Sequence, residues 1–298
     1  MRPAGFGLAL LLGLFPAPVW AGENSAPVDP GLFDRGKLLA TGGVSQIEGS
    51  GGGGLANWAL ITGYGTNNGI GLNGHYTGVL LPDYRLDTMG VAVGLFDRVE
   101  LSYAWQGFDT RKVGAALALG RDYTFHQNIY GAKLKLAGNA VYDQDSWLPQ
   151  IAIGVQHKEN DRGAVIAAIG GKASVGTDFY LSATKLLLAQ SLLVSATARQ
   201  TRANQFGILG FGGDKHGGYS TQFEGSLAWL ASRNVALGVE FRTKPSNLKI
   251  AKEGDAWDLF AAWFVNKHFS ATIAYADLGN IVIRDHQHGA YLSLQAGL

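Results

Sequence analysis

Apolar and polar residues alternate along several stretches of the chain. In the run from 98 to 107, Val99, Leu101 and Tyr103 fall on one side, and Glu100 with its polar or small neighbours falls on the other. Successive side chains of a strand point to opposite faces, so a period of two residues indicates β-structure. The same alternation recurs in three further stretches, 234–244, 268–277 and 290–298.

Fourteen segments have this strand character, at about 36–47, 55–65, 69–80, 84–95, 98–107, 127–137, 148–157, 177–187, 191–202, 219–230, 234–244, 256–265, 268–277 and 289–298. The connections between them alternate between short and long, as in bacterial barrels with both termini in the periplasm. Two connections depart from this pattern: 138–147 is long for a periplasmic turn, and 81–83 is short for an outer loop. We therefore predict an all-β fold, a transmembrane antiparallel up-and-down β-barrel. The expected count is about fourteen strands, or twelve if 36–47 and 55–65 do not form a hairpin of the wall.

Aromatic residues near the strand ends support a membrane barrel, because such residues form girdles at both interfaces. The candidates are Trp58, Tyr76, Tyr130, Trp229, Trp257 and Trp263. A soluble β-sandwich is the alternative fold, and it needs polar outward faces. Here one face of nearly every strand is apolar, which favours contact with lipid.

The beginning of the chain has the pattern of a secretory signal peptide. Arg2 precedes an apolar run from 6 to 15, and Val19 and Ala21 suit cleavage after Ala21. We predict a cleaved signal peptide at 1–21, a periplasmic lead-in at 22–35 and a barrel domain at 36–298. The expected location is the bacterial outer membrane.

Composition is consistent with this assignment. Only 16% of residues are charged and 43 of 298 are glycine, against usual fractions of about 25% and 7%. The chain has no cysteine and a net charge of +1, so we expect no disulfides and no nucleic-acid partner. Outer-membrane lipid is the expected partner, no cofactor is implied, and the oligomeric state is left open.

Alternation also predicts which charges face the lumen, because Lys or Arg facing mid-membrane lipid would cost about 2–4 kcal/mol. The predicted lumen-lining residues are Glu100, Lys133, Lys135, Arg199, Glu224, Glu240, Arg242 and Asp258. One interpretation is a selectivity lining for polar solutes. The other is a set of ion pairs that interlock and stiffen a filled lumen.

The glycine-rich run 49–54 matches no phosphate-binding loop, which would require a following Lys and Ser or Thr. It fits either a flexible outer loop or a segment folded inward as a constriction, since glycine permits close backbone approach. The pair His286 and His288, and the pair Asp143 and Asp145, are weak metal patterns. We predict neither a metal site nor catalytic residues.

Seven segments resemble a family of uncharacterised proteobacterial outer-membrane proteins, known only as a domain of unknown function. They are GGVSQIEGSGGGG at 42–54, VGLFDRVELS at 93–102, YDQDSWLPQIA at 142–152, GTDFYLSATK at 176–185, ANQFGILGFGGDK at 203–215, EFRTKP at 240–245 and YLSLQAGL at 291–298. The resemblance implies the outer membrane and a barrel, and it brings no assigned activity. Such barrels commonly end in an aromatic residue, and Leu298 departs from that.

Three functional hypotheses follow from the predicted barrel. The first is a passive or weakly selective channel for small polar or amphipathic solutes. The second is a non-conducting structural or scaffold barrel that binds a partner or a surface polymer. The third, an enzyme acting on outer-leaflet lipid, is disfavoured because no local pattern of such enzymes occurs in the sequence. A lumen crowded with paired charges would favour the second hypothesis over the first.

Overall fold

The structure, a computed structural model, describes residues 31–298. The predicted signal peptide, 1–21, and the first part of the predicted lead-in, 22–30, lie outside the described residues. Everything that follows concerns the described part of the chain.

Twelve antiparallel strands form a closed barrel in which each strand pairs with its neighbours along the chain and the last strand pairs with the first. The strands are β1 (Ile70–Leu80), β2 (Arg85–Leu95), β3 (Val99–Asp109), β4 (Thr124–Ala137), β5 (Gln150–Asn160), β6 (Val175–Leu187), β7 (Leu192–Thr201), β8 (Ser220–Ser232), β9 (Val235–Arg242), β10 (Ala256–Phe264), β11 (Phe269–Asp277) and β12 (His288–Gly297). The predicted all-β barrel with an even number of strands is confirmed.

Strand β12 illustrates why these sequences form a membrane wall. Leu292 and Leu294 point outward and are 46% and 51% exposed, whereas Tyr291 and Ser293 are buried in the interior. An apolar outer belt around a closed wall leaves no unpaired backbone group in the hydrocarbon, which is the condition for spanning a membrane with strands. The barrel is therefore of the outer-membrane type.

The connections at the two ends of the barrel differ in length. Short turns such as 96–98 and 233–234 lie at one end, which we assign to the periplasm, and most long loops lie at the other. The exceptions are the long periplasmic connection 138–149 and the short extracellular connection 81–84. The loops also contain the short elements α1 (Arg111–Ala116), α2 (Gly163–Ala168), two 3₁₀ turns (Leu188–Gln190 and Gln205–Gly207), and paired short strands (Gly171–Ala173 and Phe211–Gly213). No helix within residues 31–298 is long and apolar enough to cross a membrane.

The expected count of fourteen strands is corrected to twelve. The segments 36–47 and 55–65 do not form a hairpin of the wall, because residues 36–65 fold back into the lumen. We call residues 36–65 the plug. Its only regular structure is a small pairing of Val44–Ser45 with Gly51–Gly52, and from 40 to 64 nearly every residue is buried.

The plug also changes the interpretation of one aromatic residue. Trp58, predicted to sit in an interface girdle, is 6% exposed and its Nε1 donates to Ser226 Oγ inside the barrel at 2.8 Å. The other predicted girdle residues are exposed on the outside of the wall: Tyr76, Tyr130, Trp229, Trp257 and Trp263.

Two apolar clusters flank the charged middle of the lumen, one on the side of the long loops and one on the side of the short turns. The cluster on the loop side contains inward-folded loop residues together with wall residues: Phe206, Ile208, Leu209, Leu248, Ile281, Tyr84 and Phe108 among others. The cluster on the turn side packs plug residues against wall residues: Val44, Trp58, Leu60, Leu193, Phe260 and Phe264 among others. The buried charges thus lie between two apolar layers.

Candidate functional site

Three wall glutamates hold the plug through its backbone amides. Glu100 on β3 accepts from Gly51 N at 2.8 Å and from Thr62 N at 2.9 Å. Glu240 on β9 accepts from Gly54 N and Leu55 N at 2.6 and 2.7 Å. Buried amides without a secondary-structure partner must be satisfied elsewhere, and carboxylates are strong acceptors for them.

The third of these glutamates, Glu224 on β8, accepts from Asn57 N at 2.7 Å. Amide and hydroxyl side chains of the wall also form hydrogen bonds with the plug backbone. Gln150 Nε2 donates to Ala59 O at 2.6 Å, and Ala59 N donates to Thr184 Oγ1 at 2.8 Å. The wall therefore supplies the hydrogen bonds that a helix or sheet would otherwise supply.

Glu100 is paired with a wall cation on the neighbouring strand β4. Lys133 Nζ lies 3.1 Å from Glu100 Oε1 and also donates to the plug carbonyls Gly51 O and Leu60 O at 2.7 and 2.9 Å. Both side chains are buried. This ion pair therefore binds the plug backbone in two ways. Glu100 accepts from its amides, and Lys133 donates to its carbonyls.

A second group of charges surrounds a plug side chain, Glu48. Arg242 Nη1 on β9 lies 2.8 Å from Glu48 Oε2, and Arg199 Nη2 on β7 lies 3.8 Å from the same oxygen. Lys158 Nζ on β5 forms a close ion pair with Glu48 Oε1. We call Lys158, Arg199 and Arg242 the cradle. All four side chains of this group are buried.

Two wall carboxylates hold the cradle in place. Asp178 Oδ2 lies 2.7 Å from Lys158 Nζ and 3.3 Å from Arg199 Nη1. Glu224 Oε1 lies 2.5 Å from Arg199 Nε and 3.5 Å from Arg242 Nε. Each cation is thus shared between a fixed wall carboxylate and the carboxylate of the plug.

A third acidic position differs from both of these groups. Asp258 on β10 is the cross-strand neighbour of Glu240, and both side chains face the lumen. Asp258 is 1% exposed, and neither of its carboxylate oxygens makes a hydrogen bond within the described residues. No cation of the described chain forms an ion pair with either residue. Negative charge is therefore least compensated on this side of the lumen.

The glycine run 49–54 follows the inward course that was one of its two predicted interpretations. A Cβ atom on Gly53 would overlap the carboxylate of Glu240, so the backbone can approach that wall only as glycine. Gly49 has φ of +94°, a conformation that residues with a Cβ rarely adopt. The run is thus needed for close contact with the wall.

The loop between β7 and β8 covers the cradle from the extracellular side. Phe206 at its tip is 3% exposed, its ring lies 4.5 Å from the Arg242 guanidinium, and its carbonyl accepts from Lys158 Nζ at 3.2 Å. Gln205 and Phe206 have φ of +45° and +61°. Such strained backbone persists only where surrounding contacts hold it in place.

An ion pair in the extracellular loop 243–255 lies beside this tip. Lys244 Nζ is 3.3 Å from Glu253 Oε2 and donates to Gln205 Oε1 at 2.7 Å. Burial lowers the pKa of Lys244 and raises the pKa of Glu253, because both charges lose hydration there. The pair anchors one loop to the tip of the other.

The predicted lumen-lining residues have different partners. Lys135 lies at the periplasmic end of β4, where Nζ is 2.5 Å from Asp97 Oδ2. Five of the others make the contacts with the plug or with one another described above: Glu100, Lys133, Glu224, Glu240 and Arg242. Arg199 joins them through Glu224, and Asp258 lies apart beside Glu240.

Three charged residues of this network are missing from the sequence-based set: Glu48, Lys158 and Asp178. Lys158 continues the inward series of Gln150 and Gln156, but the predicted strand ended at 157. Asp178 lies within a predicted strand at an inward position of the alternation. Glu48 had no such signal, because the plug is buried on all sides and has no period of two.

The weak metal patterns are not assembled into a larger site. Within residues 31–298, no group of three or more His, Asp or Glu side chains is placed to hold a metal ion. Asp143 and Asp145 lie in the periplasmic connection between β4 and β5. His288 is the first residue of β12, and His286 lies in the loop before it.

Comparison with known proteins identifies the family. The model of DUF3034, described as a protein of unknown function, matches residues 41–295. The chain belongs to this family. The resemblance noted in the sequence is therefore confirmed, and the matched range includes most of the plug. The chain has no significant sequence similarity to a curated protein.

Several solved barrels are similar in structure. The KdgM porin is 10% identical with a TM-score of 0.49, and the match covers 75% of this chain and 98% of that one. An outer membrane channel from Pseudomonas putida F1 is 12% identical with a TM-score of 0.46, covering 76% and 93%. Outer membrane phospholipase A from Escherichia coli is 9% identical with a TM-score of 0.40, covering 80% and 94%. Nothing about function follows from similarities of this size.

Proposed function

We propose that this protein is an outer-membrane channel for small polar solutes, and that the plug is its gate in the closed position. The observation that carries the proposal is the attachment of the plug by its backbone to wall carboxylates. Glu100 and Glu240 each accept two plug amides. Withdrawal of the plug would leave a wall lined with charged and polar side chains, as a path for polar solutes requires.

The chain arrangement supports a movable plug. Residues 36–65 contribute no strand to the wall, so they can leave without breaking a wall hydrogen bond. The plug contacts the wall largely through side-chain to backbone bonds, which water can replace individually. A lumen filled by wall side chains alone could not be emptied in this way. The lumen is crowded with paired charges, which by itself favours the scaffold hypothesis. The central carboxylate, Glu48, belongs to the plug and not to the wall, so the pairing breaks when the plug leaves, and this favours a gate over a permanently solid barrel.

The test is conductance of the refolded mature chain in a planar bilayer, with a variant that locks the plug. The chain has no cysteine, so Ala59→Cys with Thr184→Cys gives a single engineered pair. These positions are adjacent across the plug and wall, since Ala59 N lies 2.8 Å from Thr184 Oγ1. We expect rare opening steps that disappear on oxidation and return on reduction, so the reduced protein is the matched control.

A loosened gate gives the opposite result. Glu240→Gln weakens two charge-assisted bonds to the plug, worth about 1.5–3 kcal/mol each, so the open fraction should rise at least about tenfold. A heat-modifiable, folded Glu240→Gln protein that gives no steps would exclude the channel. The scaffold interpretation, a barrel with a permanent plug, would then be correct.

A further inference from the structure

We propose that the cradle, Lys158, Arg199 and Arg242, is a binding site for the carboxylate of a small organic anion, and that Glu48 occupies it in the closed state. The claim that this anion is the transported solute rests on the proposed channel. As a binding site, the cradle stands on the geometry alone.

The occupant is a carboxylate presented by a removable segment. Glu48 is the plug residue whose side chain forms ion pairs with the cradle, and three separate strands supply its partners. The wall glutamates, in contrast, bind plug backbone. The cradle therefore recognises a carboxylate as a chemical group, and a free carboxylate of similar size can compete for the same place.

The charge balance shows why the cradle needs an anion. Asp178 and Glu224 are the two wall carboxylates paired with its three cations. Glu48 supplies the third negative charge. When the plug withdraws, one positive charge is left without a partner in a site that is otherwise buried, and such an isolated charge is costly. A solute anion that replaces Glu48 removes this cost.

An unused donor indicates that a free anion fits better than Glu48 does. Arg199 Nη2 is buried and makes no hydrogen bond within the described residues, and it lies 3.8 Å from Glu48 Oε2. The tethered Glu48 carboxylate does not close this gap. An untethered carboxylate can align with the guanidinium edge, and such paired contacts are among the strong hydrogen bonds of proteins.

Access from outside passes the tip of the loop between β7 and β8. Phe206 covers Arg242 with its ring and Lys158 with its carbonyl. The cradle thus lies between two chain segments that contribute no strand to the wall at this point, the plug on one side and this loop tip on the other. A bound anion would compete with Glu48 on the plug side and with the carbonyl of Phe206 on the loop side.

The first experiment is calorimetric titration of the detergent-solubilised full-length mature chain with succinate. Neutral succinamide and inorganic phosphate serve as comparison probes. Glu48→Ala vacates the cradle, so it should bind succinate about tenfold more tightly than the natural protein. The control Asp87→Ala removes a carboxylate of the exposed pair with Arg85 on the outside of the wall, and its affinity should equal that of the natural protein.

Several outcomes would overturn the site. They are no succinate binding by folded Glu48→Ala, equal gain in Asp87→Ala, equal binding of succinamide, or phosphate binding as tight as succinate binding. If Glu48→Ala does not fold, the pair Ala59→Cys and Thr184→Cys in the otherwise natural chain decides. Excess succinate should slow disulfide formation at least about twofold, while succinamide and sodium chloride at equal ionic strength should not. An unchanged rate rejects the site.

The two proposals fail separately. Succinate binding without conductance steps in any variant would keep the cradle as a ligand site and reject the channel. Steps that respond to the engineered disulfide, without succinate binding to Glu48→Ala, would keep the channel and reject the anion site.

Discussion

The plug meets the wall in two chemically different ways. At the cradle, a plug side chain completes a balanced set of charges, with Glu48 facing three cations. At the position of Glu240 and Asp258, two carboxylates lie together without a cation, and the plug offers only backbone amides. At the cradle, the plug is held by ion pairs in which another anion could replace Glu48. At Glu240, it is held by close packing and by hydrogen bonds to its backbone. Neutralising a charge should therefore lower stability at the cradle and raise it at Asp258.

The largest effect is expected at the cradle. Arg199→Met leaves the carboxylates of Glu48, Asp178 and Glu224 facing only two cations, so we expect a loss of about 3–5 kcal/mol in the free energy of unfolding. Urea titration of the refolded protein measures it. The exposed pair of Arg85 and Asp87 provides the matched control, since Arg85→Met should cost less than about 1 kcal/mol. Equal losses would contradict a cradle held by charge.

The opposite sign is expected at the carboxylate pair. Asp258 carries a buried carboxylate whose oxygens make no hydrogen bond within the described residues. Asp258→Asn replaces this unbonded carboxyl with a neutral amide of the same size whose N–H can donate to the neighbouring Glu240, so we expect the free energy of unfolding to rise by about 1 kcal/mol. Glu224→Gln, the same kind of change at a residue with cationic partners, should lower it. The comparison fails if both substitutions destabilise the barrel to the same extent.

The smallest effect is expected where the chain leaves the plug. Asp34 accepts from Thr66 N at 3.0 Å, from the Thr66 hydroxyl and from Gly36 N at 3.3 Å. Burial alone would raise the pKa of this carboxyl, but these hydrogen bonds outweigh it and the pKa is lowered. A lowered pKa means that the stabilisation is complete above the ordinary pKa and is lost as the pH falls through the lowered one.

This prediction is tested by urea titration between about pH 6 and pH 3. Asp34→Asn should be slightly less stable than the natural protein at the upper pH, and the difference should shrink toward zero as the pH falls. A difference that is constant across the range would show that the carboxylate charge of Asp34 contributes nothing.

The wall could be predicted from the sequence because lipid on one side and packed polar groups on the other impose a period of two. The plug could not, because it is surrounded by packed protein on all sides and so has no difference between a lipid-facing and an interior-facing side. Residues 36–47 and 55–65 contain the right residue types for strands, and nothing local separates them from wall strands. Long-range contacts, such as Ser45 N with Gln295 Oε1 at 2.8 Å, decide where they go.

The candidate site was predictable in part for the same reason. Arg199, Glu224 and Arg242 lie on wall strands, and alternation alone turns them inward. Glu48, the common partner of the two arginines, belongs to the plug, so no pattern along the chain connects it with them. The sequence thus indicates the charges of the wall but not the group that neutralises them.

The position of the plug ahead of β1 has a consequence for biogenesis. Its hydrogen-bond partners are spread over the whole wall, from Glu100 on β3 to Gln295 on β12. Contacts between residues so distant along the chain form late, because closing long loops has a high entropic cost. The wall residues that bind the plug are all in place only when β12 has paired with β1. The plug therefore reaches its final position last, although it precedes the wall along the chain.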